Sequence, residues 1–202
     1  MSTSANFYTH DTDIYNDISP HFSIRSLKKP LKLRKVASDD AEALLKHSSD
    51  QRNVQYDGSV IGLDNPEAIS SLLAQWSTFT EPLARFNAVV VTDNKISGTG
   101  GIGWIGTNSE GVRVGAAGIM LNSEERGKGY AYEALKITID FGLRELALDE
   151  IHLATWDANI PMRGLMDKKF GFMGRRIEKD RFGNEWEWRI RKTEWLESVH
   201  SV

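Results

Sequence analysis

The sequence predicts an α/β protein with one mixed central sheet and about four flanking helices. Three observations carry this. Short stretches of period-two alternation recur between stretches of helical periodicity. Three alternating stretches in mid-chain, separated only by turn signals, read as an antiparallel meander. An apolar strand pattern beginning at Ile119 runs through a glycine-rich loop straight into a helical pattern at Ala131.

The elements follow in order. Residues 22–27 alternate as a short strand, Pro30 breaks it, and residues 31–36 alternate again as the first main strand. Asp39 with Glu42 three positions on marks a helix start, and Ala41, Leu44 and Leu45 supply its apolar face up to Ser48. Residues 51–63 read as irregular. Asn65-Pro66 is a cap and first-turn pair for a second helix carrying Ile69, Leu72, Leu73 and Trp76. The meander comprises strands over 86–91, 96–106 and 112–121, with Asp93-Asn94-Lys95 at the first turn. A helix over about 129–147 is apolar more than halfway round, as suits a helix lying on a sheet. A strand over 150–156, a helix capped by Asn159 and ended by Gly171, and two closing strands over 172–177 and 186–195 complete the chain. The closing pair turns at residues 181–184.

Length and composition bound the function. A chain of 202 residues suggests one domain with appended segments. The expected division is a mobile N-terminal tail over 1–21, a domain over 22–196 and a short tail over 197–202. The net charge of −3 offers no basic stripe, so nucleic acid is not an expected partner. No cysteine is present, which excludes thiolate metal sites, disulfides and a cysteine nucleophile. The longest apolar runs fall far short of the ~20 residues that span a membrane. The first 21 residues have neither an apolar signal core nor arginine-rich transit character, which points to a cytosolic or nuclear (cytoplasmic by default) protein with no membrane partner.

The chain is organised around residues 119–131. Glycines at 127 and 129 let backbone approach a ligand closely, and the helix start that follows offers unpaired N–H groups and the positive end of the helix dipole. Together these suit a phosphate. A Walker loop is excluded because Lys128 is followed by Gly129 rather than by Ser or Thr. Dinucleotide fingerprints do occur at Gly98, Gly100 and Gly103 and at Gly101, Gly103 and Gly106, but both continue as strand and open no helix. The remaining reading is Arg-x-x-Gly-x-Ala, spelled Arg126-Gly127-Lys128-Gly129-Tyr130-Ala131, with Arg126 and Lys128 adding charge.

That loop, Gly98-Thr99-Gly100-Gly101-Ile102-Gly103, Asn159-Ile160-Pro161 and Lys168-Lys169-Phe170-Gly171-Phe172 stand in the element order given above. Over residues 31–195 the chain resembles the GNAT acyltransferase superfamily, and within it the branch of ribosomal-protein N-terminal acetyltransferases. The resemblance implies a GNAT fold with splayed strands, and acetyl-CoA as cosubstrate with no metal. It implies cofactor contacts from Ile119, Met120 and Leu121 on the splayed strand, from Arg126, Gly127, Lys128, Gly129, Tyr130 and Ala131 in the pyrophosphate loop, and from Asn159 to the pantetheine arm. It implies that the segment between the first two helices helps form the acceptor site.

The proton-handling positions depart from that pattern. Ala116 stands where the branch often has a glutamate, and Met162 where it usually has a serine facing the sulfur. The catalytic acid and base therefore stay unassigned. His152 reads as a packed or edge histidine, Asp157 as a turn residue, and Glu185 and Glu187 as a solvated strand face. Trp76, Trp104 and Trp156 read more readily as core than as an acceptor wall. Acyl transfer to an amine needs a held cofactor, a deprotonated amine, a stabilised oxyanion and a departing thiolate. The expected activity is direct N-acetyl transfer to a primary amine, a protein N-terminus or a small molecule, in a ternary complex. Its rival is a catalytically weak acyl-CoA-binding sensor or scaffold, and a longer acyl-CoA is a minor variant. A homodimer is left open.

Overall fold

The computed structural model describes residues 7–15, 20–178 and 184–200. Among the described residues nine strands form a single sheet: β1 (Tyr8–Asp13), β2 (His21–Ser26), β3 (Leu31–Arg34), β4 (Phe86–Thr92), β5 (Lys95–Thr107), β6 (Arg113–Leu121), β7 (Glu150–Trp156), β8 (Arg175–Ile177) and β9 (Glu185–Arg191). They lie in the order β1-β2-β3-β4-β5-β6-β7-β9-β8. Every neighbouring pair is antiparallel except β6 and β7. A parallel neighbour requires a crossover, and that crossover carries α4 (Tyr130–Arg144). The remaining helices are α1 (Ala41–Ser49), α2 (Gln51–Val54), α3 (Pro66–Ser77), α5 (Ile160–Gly164) and α6 (Lys192–His200). α5 continues as a π-helical stretch, Leu165–Phe170, which Gly171 ends at φ +75°.

Alternation along β4 separates two cores. Ala88 and Val90 join the side on which α4 packs, whereas Val89 and Val91 join Leu44 of α1 and Ile69 and Leu73 of α3 on the other. β4 is thus buried on both faces, which explains its uninterrupted apolar run. The glycines of β5 are strand residues, as the rejected dinucleotide readings require. A Cβ at Gly101, where φ is +115°, would lie 2.2 Å from the Phe86 carbonyl oxygen. β5 also carries a bulge: Ile102 pairs with Ala117 and Trp104 with Ala116, leaving Gly103 over.

Two boundaries differ from the sequence reading. Part of the expected N-terminal tail is structured, because Tyr8–Asp13 pairs along the whole of β2. Phe7 and Tyr8 are buried, and Lys136 Nζ lies 4.1 Å from the Phe7 ring centroid. The strand has polar residues on both faces and so shows no alternation for sequence to read. At the other end β9 stops at Arg191, and α6 replaces the expected continuation to Trp195 and most of the expected C-terminal tail. The expected turn at residues 181–184 lies outside the described residues except for Asn184. The short helix α2 and a 3₁₀ turn at Gly58–Val60 occupy the stretch read as irregular. Among the described residues no helix is long and apolar enough to cross a membrane.

Both added elements converge on one buried carboxylate. Asp140 of α4 is fully buried and accepts from Tyr8 Oη at 3.0 Å, Trp195 Nε1 at 2.7 Å and Arg144 Nε at 3.0 Å. Burial, with the Asp140 charge beside it, pushes the Tyr8 hydroxyl well up, which keeps it a donor. Removing the carboxylate leaves two buried donors, Tyr8 Oη and Trp195 Nε1, unpaired and takes one partner from the half-buried Arg144. Asp140→Ala should therefore destabilise the protein by about 3–5 kcal/mol, and Trp195→Phe, which strands a single bond, by about 1–3 kcal/mol. Urea unfolding of the two variants checks both the size and the order.

Candidate active site

The three parallel pairs between β6 and β7 are Val114–Glu150, Gly115–Ile151 and Ala116–His152. Beyond them the strands separate. β6 stays paired with β5 as far as Leu121, and β7 stays paired with β9 as far as Trp156. A cleft of about 1380 Å³ opens at the separation. Ile119, Met120 and Leu121 line it from β6, and Trp156, Asn159 and Met162 line it from β7 and α5.

The glycine loop closes one end. Gly127 and Gly129 take φ +76° and +79°, and Gly129 is the N-terminal cap residue of α4. Among the described residues no side chain caps that helix, so its first-turn N–H groups remain open for a ligand where Gly129, Tyr130 and Ala131 meet the cleft. The charges fall differently from the sequence reading. Lys128 does not line the cleft; its Nζ pairs with Glu125 Oε2 at 2.9 Å. Arg126 does line it, but its Nη2 donates to the Arg52 carbonyl at 2.7 Å and the Asn53 carbonyl at 3.3 Å, tying the loop to α2. The cation that sequence missed is Lys29, from the β2–β3 turn. Its Nζ donates to the Lys128 carbonyl at 3.0 Å and lies 5.6 Å from the Tyr130 ring centroid. Only the sheet order brings residue 29 to residue 129.

A buried polar strap holds the loop's entry. Asn122 Oδ1 accepts from His47 Nδ1 at 2.6 Å and from Asn53 Nδ2 at 3.2 Å, while Asn53 Oδ1 accepts from the Ser123 N–H at 2.8 Å. Donation by Nδ1 leaves His47 Nε2 as a bare acceptor, buried and without a partner among the described residues. Burial lowers the His47 pKa and the nearby Arg126 charge adds to this, against the opposing effects of Asn122 and Asp50. The imidazole is therefore neutral in the folded chain at pH 7.

The other candidates sort as follows. Asn159 caps α5: its Oδ1 accepts from the Met162 N–H at 3.2 Å and its Nδ2 donates to Thr155 Oγ1 at 2.8 Å. Ala116 and Met162 both face the cleft, so neither departure from the family pattern is displaced from the centre. His152 pairs with Glu150 at 3.0 Å and does not line the cleft. Asp157 accepts from Trp186 Nε1 at 2.7 Å and pairs with Arg163 and Arg176, and the Trp186 bond leads in holding its carboxyl below the usual range. Glu187 lies between Arg175 and Arg189. Glu185, expected on a solvated face, lines the cleft, as do Trp76 and Trp156, expected in the core. Trp104 does not line it; its ring covers Gly106.

Two outcomes follow. A left-handed φ at position 129 costs a β-branched residue about 1–3 kcal/mol, and the displaced backbone would misalign the N–H groups at the helix start. Gly129→Val should lower CoA affinity by more than tenfold in calorimetry, and unchanged affinity would remove the loop from the site. For His47 the folded pKa lies below the ordinary 6.5. Between those two values the unfolded chain binds the extra proton, so stability is full above 6.5 and is lost as pH falls through that window. His47→Gln should flatten that slope when melting temperature is followed from pH 7.5 to 5.

A family model described as an acetyltransferase (GNAT) domain matches residues 31–173. No curated protein sequence matches the chain significantly. Among solved structures, the ribosomal-protein-S5-alanine acetyltransferase of Vibrio fischeri is 21% identical, with a TM-score of 0.69 over 83% of this chain and 96% of that one. RimJ of Mycobacterium smegmatis, in complex with a CoA-disulfide, is 18% identical, with a TM-score of 0.72 over 84% and 86%. The spermidine N-acetyltransferase of Vibrio cholerae, in complex with CoA and spermine, is 17% identical, with a TM-score of 0.69 over 83% and 98%. At these identities the structures show a shared fold. The family match covers most of the sequence, and the chain belongs to the GNAT family of acetyltransferases.

Proposed function

We propose that this chain transfers an acetyl group from acetyl-CoA directly to a primary amine held in the same cleft. The observation that carries the reading is the gap between β6 and β7, which starts at Ala116 and ends at the uncapped start of α4. From Leu121 back to Ala117 is four residues, about 13 Å of strand. An extended thioester arm fits that length if its pyrophosphate meets residues 126–131 and its acyl end reaches the level of Ala116. Ile119, Met120, Leu121 and Asn159 then lie along the arm, and Lys29 lies beside the phosphates. The solved neighbours include enzymes named for an alanine of ribosomal protein S5 and for spermidine, and a protein amine and a small-molecule amine are both open here.

The amine nitrogen attacks the thioester carbon and forms the C–N bond, the C–S bond breaks, the sulfur leaves as thiolate, and the proton lost by the nitrogen passes to water or to that thiolate. With no cysteine, no thiol acyl-enzyme forms. Met162 supplies no hydroxyl at the position where the resemblance implies a serine facing the sulfur. A thiol pKa near 8.5 is only about 1.5 above neutral, roughly 2 kcal/mol, so a thiolate can leave with little acid help. Deprotonation is harder: an alkylammonium near 10.4 lies about 3.4 above neutral, roughly 4.6 kcal/mol, whereas an α-amine near 7.7–8.0 needs far less. With Ala116 supplying no base, the chemistry favours a low-pKa acceptor, an α-amine or an arylamine.

Ala116 and Met162 also motivate a second reading, a weakly catalytic acyl-CoA-binding protein. Steady-state turnover on an α-amine peptide, an arylamine and a polyamine separates the two. Met162→Ser should change kcat by less than about tenfold, or 1.4 kcal/mol. Absence of wild-type turnover on all three amines, with strong rescue by serine, would favour the binding protein.

A further inference from the structure

The acyl end of the cleft holds a cation that the reading above does not use. Arg85 immediately precedes β4, and Asn87 lies two residues on. Both are half-buried and both line the cleft. Phe86 and Ala88, which alternate with them, point into the α4-side core, so Arg85 and Asn87 share the opposite face. Neither side chain makes a hydrogen bond or ion pair among the described residues. The sheet register fixes their level. Phe86 pairs with Ile102 and Ile102 with Ala117, so Arg85 and Asn87 flank the row where β6 leaves β7. The loop end of the cleft lies four residues further along β6. An acetyl-CoA phosphate at residues 126–131 is therefore not what this guanidinium would meet.

The other charges of the cleft are already engaged or lie elsewhere. Glu125 pairs with Lys128, and Asp57 and Glu185 each have an interaction of their own. Lys29 and Arg126 belong to the loop, and Lys169 is an exposed residue of the Leu165–Phe170 stretch rather than of the sheet face that carries Arg85. A half-buried guanidinium without a counter-charge, beside an unpaired carboxamide, has the donors to take a bidentate oxyanion.

We propose that Arg85, with Asn87, selects an acceptor amine that carries an oxyanion, either a carboxylate or a phosphate. The proposal rests on the acetyl-transfer reading and narrows its acceptor class. A polyamine, with a second cation at that position, is disfavoured. Arg85 is a specificity residue and takes no part in proton transfer.

Four acceptors test this with acetyl-CoA: the arylamines p-aminobenzoate, p-aminobenzamide and p-aminophenyl phosphate, whose amines all have low pKa values, and spermidine. In the wild type, kcat/KM for the benzoate or for the phosphate should exceed that for the amide and for spermidine by tenfold or more. Which of the two is preferred identifies the anion. Arg85→Gln should erase the preference by raising KM for the anionic acceptor, leaving kcat/KM for the amide within about threefold, and Arg85→Lys should restore part of it. Preference for the amide or for spermidine, or a preference that survives Arg85→Gln, overturns the proposal. If no amine turns over, the acetyl-transfer reading fails separately. Calorimetry of the CoA-loaded protein with an N-acetylamino acid and with its amide then decides the matter. Arg85-dependent binding of the acid alone supports the anion site, and equal binding of both overturns it.

Discussion

The candidate site depends on where β6 and β7 stop pairing. A strand freed along one side exposes backbone donors and acceptors that cost free energy unless something satisfies them. Here the gap is held open from outside. β5 pairs with β6 down to Leu121, and β9 pairs with β7 up to Trp156, so neither strand can swing across to the other. At the junction, Gly115 leaves room for Leu148, Ile102 and Ile151; a Cβ there would lie 2.7–3.2 Å from those side chains. The three remaining parallel pairs are packed tightly enough to fix the point of separation.

Two tethers hold the ends of this arrangement. The crossover helix α4 is anchored by Asp140, which joins the N-terminal strand, the helix and the C-terminal helix through three hydrogen bonds. The loop entering α4 is anchored by Asn122, Asn53 and Arg126 against α1 and α2. The short helix α2 therefore has a purpose that its length hides, since its carbonyls accept from Arg126 Nη2 and fix that guanidinium where it lines the cleft. The loop offers backbone N–H groups, Arg126 and Lys29 as its means of holding an anion. That suits a ligand recognised through its phosphates and turned over repeatedly.

The main elements were legible because they obey simple periods. The meander, α3 with its Asn65-Pro66 start and α4 all read correctly from alternation, caps and helical faces. The glycines of β5 read as strand because no helix follows them. What sequence missed comes from tertiary placement. Tyr8–Asp13 is polar on both faces, so only its pairing with β2 reveals it. Trp195 reads as the end of a strand until Asp140 is seen to bind its indole. Within the site, the glycine positions and the cleft strand were legible from a local motif. Lys29, His47 and Arg85 carry no local signal and meet the cleft only through the sheet order. Lys128 shows the converse, since a basic residue in a motif need not line the cleft.

Hydrogen exchange with and without saturating CoA tests the central claim most directly. The account predicts slowed exchange of the amides in residues 117–121 that point away from β5, and of those in 127–131. It predicts no change at 114–116, which are already paired with β7. Binding of CoA that leaves residues 117–121 and 127–131 unprotected, or that protects a different face of the sheet, would contradict it.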